Sequence, residues 1–252
     1  MSYSYFTRIY AHRGGGTLAP ENTVQALQLA HHMGFAGVEF DVMLTADDEP
    51  VLMHDAEFGR TVFGAGQMNE TRWADLQRKN AGAWFKDPRY AGARVPHLDH
   101  ALSFCSARNM HMNVEIKPAS GRDARTGELA ATLCARYFPQ DSNRASIDLP
   151  LLSSFSAEAL AAAALAAPHL PRARLWRELP PDWAAQLAVA GCVAAHVRHD
   201  HLDEARCAAV KQAGYGLLAY TVNDPRRARE LMAWGVDALC TDRLDLIGPR
   251  FR

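Results

Sequence analysis

Glu39-Phe40-Asp41 sets two carboxylates two residues apart within the run Gly37-Val38-Glu39-Phe40-Asp41. Successive side chains of a strand point to opposite faces, so Glu39 and Asp41 share one face and Phe40 takes the other. A second run, Met112-Asn113-Val114-Glu115, ends on another acid. Carboxylates brought this close repel unless a cation or a proton joins them. An all-oxygen donor set suits Mg²⁺, Ca²⁺ or Mn²⁺ rather than zinc. Glu39, Asp41 and Glu115 are therefore the candidate metal ligands. The competing reading is three strand-end acids paired to Arg or Lys.

Histidines and bases recur at the same kind of place. His12 follows Ile9-Tyr10-Ala11, and His54 follows Val51-Leu52-Met53. Imidazole shuttles protons near neutral pH, so these two are the candidate acid and base. Arg13 offers a planar fork to phosphate oxygens, and Lys117, two residues beyond Glu115, offers a point charge on the same face. The glycines after Arg13 (Gly14, Gly15 and Gly16) can turn backbone N–H groups toward an anion. Phe155, His196 and Tyr220, with Trp84, are candidates to line the cleft; ordinary packing is the competing reading. Acids, imidazoles and bases at strand ends indicate metal-assisted chemistry on a phosphate.

Such groups need strands that end in one place. Short apolar runs alternate with helical patterns along the whole chain. After strands at 8–11 and 38–41, a hairpin is expected between 42–44 and 51–54, turning at Asp47-Asp48-Glu49-Pro50. Residues 56–94 break the rhythm and read as a long functional loop or small subdomain with one helical piece near 72–77. Strands then follow at 112–115, 151–154, 174–176, 193–197, 216–221 and 237–240, separated by helical segments. With the hairpin set aside, eight βα units in 252 residues favour a closed (β/α)₈ TIM barrel, an α/β fold, over an open doubly wound sheet. No Gly-x-Gly-x-x-Gly follows the first strand, which weighs against a dinucleotide fold. We expect a single domain over 1–252 with its insertion at 56–94. Barrel active sites sit at the C-terminal strand ends, where every group named above would lie.

Composition bounds the partners. A hydrophobic content of 48% supports a buried core and excludes a disordered chain. The net charge of −1 gives no general attraction to nucleic acid or anionic lipid, so phosphate recognition must be local. Five scattered cysteines without a CxxC make neither a disulfide framework nor a zinc site. No basic stretch followed by an apolar one opens the chain, and no apolar run approaches a membrane span. The expectation is a cytoplasmic protein without stable membrane insertion.

Taken together, these segments resemble the glycerophosphodiester phosphodiesterase family. Ala11-His12-Arg13-Gly14-Gly15 with Pro20-Glu21-Asn22-Thr23 is similar to its His-Arg-Gly and Pro-Glu-Asn-Thr signature. Val38-Glu39-Phe40-Asp41-Val42 is similar to its Glu-x-Asp strand, Val51-Leu52-Met53-His54-Asp55 to its His-Asp strand, and Asn113-Val114-Glu115-Ile116-Lys117 to its Glu-x-Lys segment. Tyr220-Thr221-Val222-Asn223 and Cys240-Thr241-Asp242-Arg243 also look like the family. The resemblance implies a barrel enzyme of the cytoplasmic branch that hydrolyses glycerophosphodiesters to glycerol 3-phosphate and an alcohol. It implies Mg²⁺ or Ca²⁺ on Glu39, Asp41 and Glu115, acid/base work by His12 and His54, and phosphate binding by Arg13 and Lys117. Tyr220 stands where the family commonly has Trp, and His97 where it has Thr; both are expected to alter the cleft wall. The alternatives are a phospholipase D-like enzyme acting on lysophospholipids and a catalytically silent phosphodiester-binding protein.

Overall fold

The computed structural model describes residues 5–140 and 145–252. Nine strands form one sheet: β1 (Ile9–Ala11), β2 (Gly37–Leu44), β3 (Pro50–Leu52), β4 (His111–Ile116), β5 (Leu151–Ser154), β6 (Arg172–Trp176), β7 (Ala194–Arg198), β8 (Gly216–Tyr220) and β9 (Ala238–Thr241). All but β3 are parallel neighbours, and β1 pairs with both β2 and β9, closing a barrel of eight strands. Helices α1 (Val24–His32), α3 (Leu98–Ser106), α4 (Asp123–Tyr137), α5 (Ala157–Ala166), α6 (Trp183–Val189), α7 (Glu204–Gln212) and α8 (Pro225–Ala233) alternate with the strands; the short α2 (Trp73–Leu76) lies in the insertion. The fold is a (β/α)₈ TIM barrel, as expected.

The helix starts follow local chemistry. Thr23 caps α1 by accepting from the Ala26 N–H at 3.1 Å. Ser156, Asp203 and Asp224 do the same for α5, α7 and α8, with Pro225 in the first turn of α8. Along β2, Val38, Phe40 and Val42 pack under the helices, whereas Glu39 and Asp41 alternate with them and face the barrel interior. That interior holds Tyr10, Leu151, Ala173, Ala194, Leu218, Ala238 and Cys240, closed from below by Phe6. Burial on both faces is what the unbroken apolar runs require.

One element differs from expectation. The second strand and the first arm of the hairpin are a single strand, β2, whose far end pairs antiparallel with β3 through Val42↔Leu52, Met43↔Val51 and Leu44↔Pro50. Period-two patterning continues through the junction. Val42 still faces the helix layer, and Met43 faces a second small core with Val51, Met53, Val62, Met68, Leu76, Ala81 and Val95. That core anchors the insertion to the barrel mouth.

Candidate active site

β1 ends at Ala11, and the chain turns sharply through His12-Arg13-Gly14. Arg13 is held at φ +49°, a left-handed conformation that L residues rarely adopt. Its backbone N–H donates to Glu39 Oε2 at 2.9 Å, so the turn packs directly on the acidic strand. Gly16 cannot carry a side chain: a Cβ there would lie 2.2 Å from the Asp242 carbonyl oxygen.

Glu39, Asp41 and Glu115 converge, each presenting an oxygen such that these atoms all lie within 4.8 Å of one another. β2 and β4 are in register, with Asp41 opposite Glu115. Glu39 and Asp41 are buried, whereas Glu115 is partly open to the mouth. Glu39 Oε1 is buried with no hydrogen-bond partner. Burial pushes Glu39 up to about 7, with Asp41 adding to it against His12. Burial, then Asp41 and Glu39, push Glu115 up to about 8. Asp41 goes the other way: burial raises it, but Arg13, Lys117 and His54 together hold it below the usual carboxylate range. An acidic trio with two buried members and one orphaned oxygen is a fitting cradle for a hard divalent cation. Cys240 stands near His12 and Glu39, and burial pushes its thiol well up.

Cations and imidazoles surround the trio. Arg13 Nε lies 3.5 Å from Asp41 Oδ2, and Lys117 Nζ lies 3.7 Å from Asp41 Oδ1. Arg13 Nη1 donates to Glu21 Oε1 at 2.7 Å. His12 places Nδ1 2.6 Å from Asp242 Oδ1 and Nε2 3.8 Å from Glu39 Oε2. Burial lowers the pKa of His12, but the Asp242 hydrogen bond and the nearby Glu39 raise it further, for a net increase. His54 places Nδ1 2.6 Å from Asp55 Oδ1. Its pKa is lowered by burial, with Asp41 opposing.

Of the residues expected to line the cleft, Tyr220 and Phe155 meet edge to face at 6.2 Å, and Phe155 is 44% exposed. The Tyr220 hydroxyl donates to the Trp176 carbonyl at 2.9 Å. Trp84 is held within the insertion by its Nε1–H on the Ala81 carbonyl at 3.0 Å. His196 is a correction. It is fully buried inside the barrel, its ring 5.8 Å from Phe6, and burial depresses it to about 3. It lies in the barrel interior beside Phe6 and is not open to the cleft it was expected to line. His97 is a second correction. It caps α3 by accepting from the Asp99 N–H at 3.1 Å, and its Nε2 lies 3.1 Å from Glu49 Oε2. An N-cap role suits Thr equally.

Several residues at the site have no place in the residue-type reading. Asp242, at the end of β9, orients His12, and Asn223 Nδ2 donates to Asp242 Oδ2 at 3.0 Å. Asp55 orients His54. Asn22 donates to Asp41, and Glu21 receives Arg13. Asp55 was discoverable as the neighbour of His54, and Asp242 as an acid at the last strand end.

Comparison with known proteins agrees with this geometry. The model of the glycerophosphoryl diester phosphodiesterase family matches residues 12–246. The uncharacterized protein YqiK of Bacillus subtilis (strain 168) is 30% identical over 94% of this chain and 95% of its own length. A Bacillus subtilis glycerophosphodiester phosphodiesterase is 27% identical over 94% of this chain and 83% of its own. Among solved structures, a phosphodiesterase of Oleispira antarctica in complex with the product sn-glycerol-3-phosphate superposes with a TM-score of 0.87 at 34% identity, covering 93% of this chain and 92% of that one. A glycerophosphodiester phosphodiesterase of Agrobacterium tumefaciens reaches a TM-score of 0.75 at 26% identity, covering 96% and 98%. With its motifs carried on eight parallel strands and matched across the barrel, this chain belongs to the glycerophosphoryl diester phosphodiesterase family and is a phosphoric diester hydrolase.

Proposed function

We propose that this protein hydrolyses glycerophosphodiesters to sn-glycerol 3-phosphate and an alcohol, with Mg²⁺ or Ca²⁺, or else Mn²⁺, held by Glu39, Asp41 and Glu115. The observation that carries this reading is the meeting of that trio with two carboxylate-braced imidazoles and two cations at one barrel mouth. The product bound by the Oleispira antarctica relative supports the same substrate class.

The cation would supply Lewis-acid stabilisation of charge on the phosphate oxygens. Arg13 and Lys117, already turned toward Asp41, bind nonbridging oxygens and hold the phosphate against the trio. Each histidine engages its Nδ1 with a carboxylate, which favours the Nδ1–H tautomer and leaves Nε2 for proton transfer. One ring takes the proton of the attacking hydroxyl as its oxygen bonds to phosphorus. The other gives a proton to the alcohol oxygen as the ester P–O bond breaks. The attacker is water, or the glycerol 2-hydroxyl followed by hydrolysis of the cyclic phosphate. Phe155 and Tyr220, packed edge to face, would offer an apolar surface to the carbon skeleton of the substrate.

No helix among the described residues is long and apolar enough to cross a membrane. The five cysteines are free and buried, which supports the reading of a reduced, cytoplasmic setting. We read residues 1–252 as one domain, the insertion being part of it because its small core includes Met43 of β2 and Val51 of β3.

The test is release of glycerol 3-phosphate from glycerophosphocholine by EDTA-treated enzyme, alone and with Mg²⁺, Ca²⁺ or Mn²⁺ restored. Metal-dependent release is expected. Turnover of lysophosphatidylcholine but not glycerophosphocholine would overturn the substrate class, and binding without turnover would overturn the activity.

A further inference from the structure

One insertion side chain, Arg60, links the loop after β3 to the loop after β1. Arg60 Nε donates to Asp55 Oδ2 at 2.6 Å. Its Nη1 donates to Glu21 Oε2 at 2.6 Å and its Nη2 to Glu21 Oε1 at 2.7 Å. Glu21 Oε1 also receives Arg13 Nη1, and Asp55 Oδ1 engages His54 Nδ1. The chain of contacts therefore runs His54, Asp55, Arg60, Glu21, Arg13, starting on an imidazole and ending on a phosphate-binding guanidinium. Asp55 and Arg60 share the loop that follows β3, whereas Glu21 lies 39 residues before Arg60 in the loop that follows β1, so the Arg60–Glu21 contact is a tertiary one.

The loop that carries Arg60 is anchored rather than loose. Its neighbours Thr61 and Val62 are 6% and 1% exposed, and Val62 sits in the small core that also holds Met53, the residue before His54. The Gly59 N–H donates to the Val62 carbonyl at 2.8 Å, and Phe58 N–H to the Gly66 carbonyl at 3.0 Å. Arg60 thus projects from a fixed base. Its planar fork directs three donors at two carboxylates, a geometry that a lysine ammonium cannot reproduce.

We propose that Arg60 is a positioning residue for the hydrolysis: through Asp55 and Glu21 it sets the His54 ring and the Arg13 fork relative to each other. This rests on the hydrolase reading above, so its test includes a readout independent of turnover. Arg60→Met and Arg60→Lys are compared with wild type by steady-state kinetics on glycerophosphocholine with restored metal. The His54 ring is observed by ¹H–¹⁵N NMR, assigned with His54→Gln. Arg60→Met is expected to lower kcat ~10–100-fold with KM changed far less, the usual cost of losing a partner behind an active group. Arg60→Lys should recover only part of that loss. In wild type the ring signals should report a single Nδ1–H tautomer, and in Arg60→Met a mixture or a shifted pattern. A wild-type ring signature in Arg60→Met, whatever its turnover, overturns the proposal. So does a loss confined to KM, which would make Arg60 a substrate contact. If the wild type itself fails to release glycerol 3-phosphate, the hydrolase reading falls and the ring signature alone decides the role of Arg60.

Discussion

Asn22 and Asp41 hold each other through two reciprocal hydrogen bonds. Asn22 Nδ2 donates to Asp41 Oδ2 at 2.8 Å, and the Asp41 backbone N–H donates to Asn22 Oδ1 at 3.1 Å. Asn22 does so from a left-handed φ of +55°, and both residues are almost completely buried. The pair fixes one carboxylate of the acidic trio while leaving Asp41 Oδ1 toward Lys117. Removing the amide strands a buried carboxylate oxygen and a buried backbone N–H.

Asn22→Ala should therefore destabilise the fold by about 1–3 kcal/mol, the range for orphaning buried polar groups. It should also weaken metal binding ~10–100-fold, as loss of a ligand's supporting bond does. Urea unfolding and calorimetric titration with Mg²⁺ or Ca²⁺ check the two effects. An unchanged metal affinity would mean that Asp41 keeps its orientation without Asn22.

Glu115→Gln tests the trio directly. The substitution keeps the shape and removes one charge, so the folded protein should need roughly 10–100-fold more divalent cation for half-maximal activity. An activation curve that coincides with wild type would remove Glu115 from the ligand set.

His54→Ala should lower kcat by about 10²–10⁴, the range for a general acid or base. Asp242→Asn, which leaves His12 in place but removes its carboxylate partner at 2.6 Å, should also lower kcat. Single-turnover rates with saturating substrate are the measurement. Wild-type rates in folded His54→Ala would exclude it from proton transfer.

Stability should fall in acid because of histidines remote from the chemistry. Burial depresses His196 to about 3 and His111 to about 4, so both stay neutral in the folded chain, whereas an unfolded histidine protonates near its ordinary value. The unfolded state then binds more protons below about pH 6.5, so stability drops as pH falls through that point. Each buried imidazole steepens the slope by up to about 1.4 kcal/mol per pH unit, until the pH reaches its folded value. Urea unfolding between pH 4.5 and 7 should show a shallower slope in His196→Leu than in wild type. Parallel curves would contradict a neutral, buried His196.

Much of the chemistry was legible because it is local. Glu39 and Asp41 share a face by the period of a strand, and Glu115 and Lys117 do so by the same rule. Alternating strands and helices specify a parallel barrel, and a parallel barrel collects strand ends at one rim. None of this requires knowing which distant residue lies beside which.

Tertiary structure decided the distant partners. His12 meets Asp242 across 230 residues because β1 closes the barrel on β9, a contact that exists only once all eight strands are in place. Arg60 meets Glu21 because the insertion packs its own core on β2 and β3, which no periodicity announces. His196 shows the converse: inward direction is a property of the strand, but depth is not. Whether an inward residue stands at the rim or on the floor depends on strand tilt and stagger around the closed sheet. The sequence by itself determined the kind of chemistry and the rim that holds it; only closure decided that Asp242 braces His12 and that the inward His196 lies fully buried within the barrel.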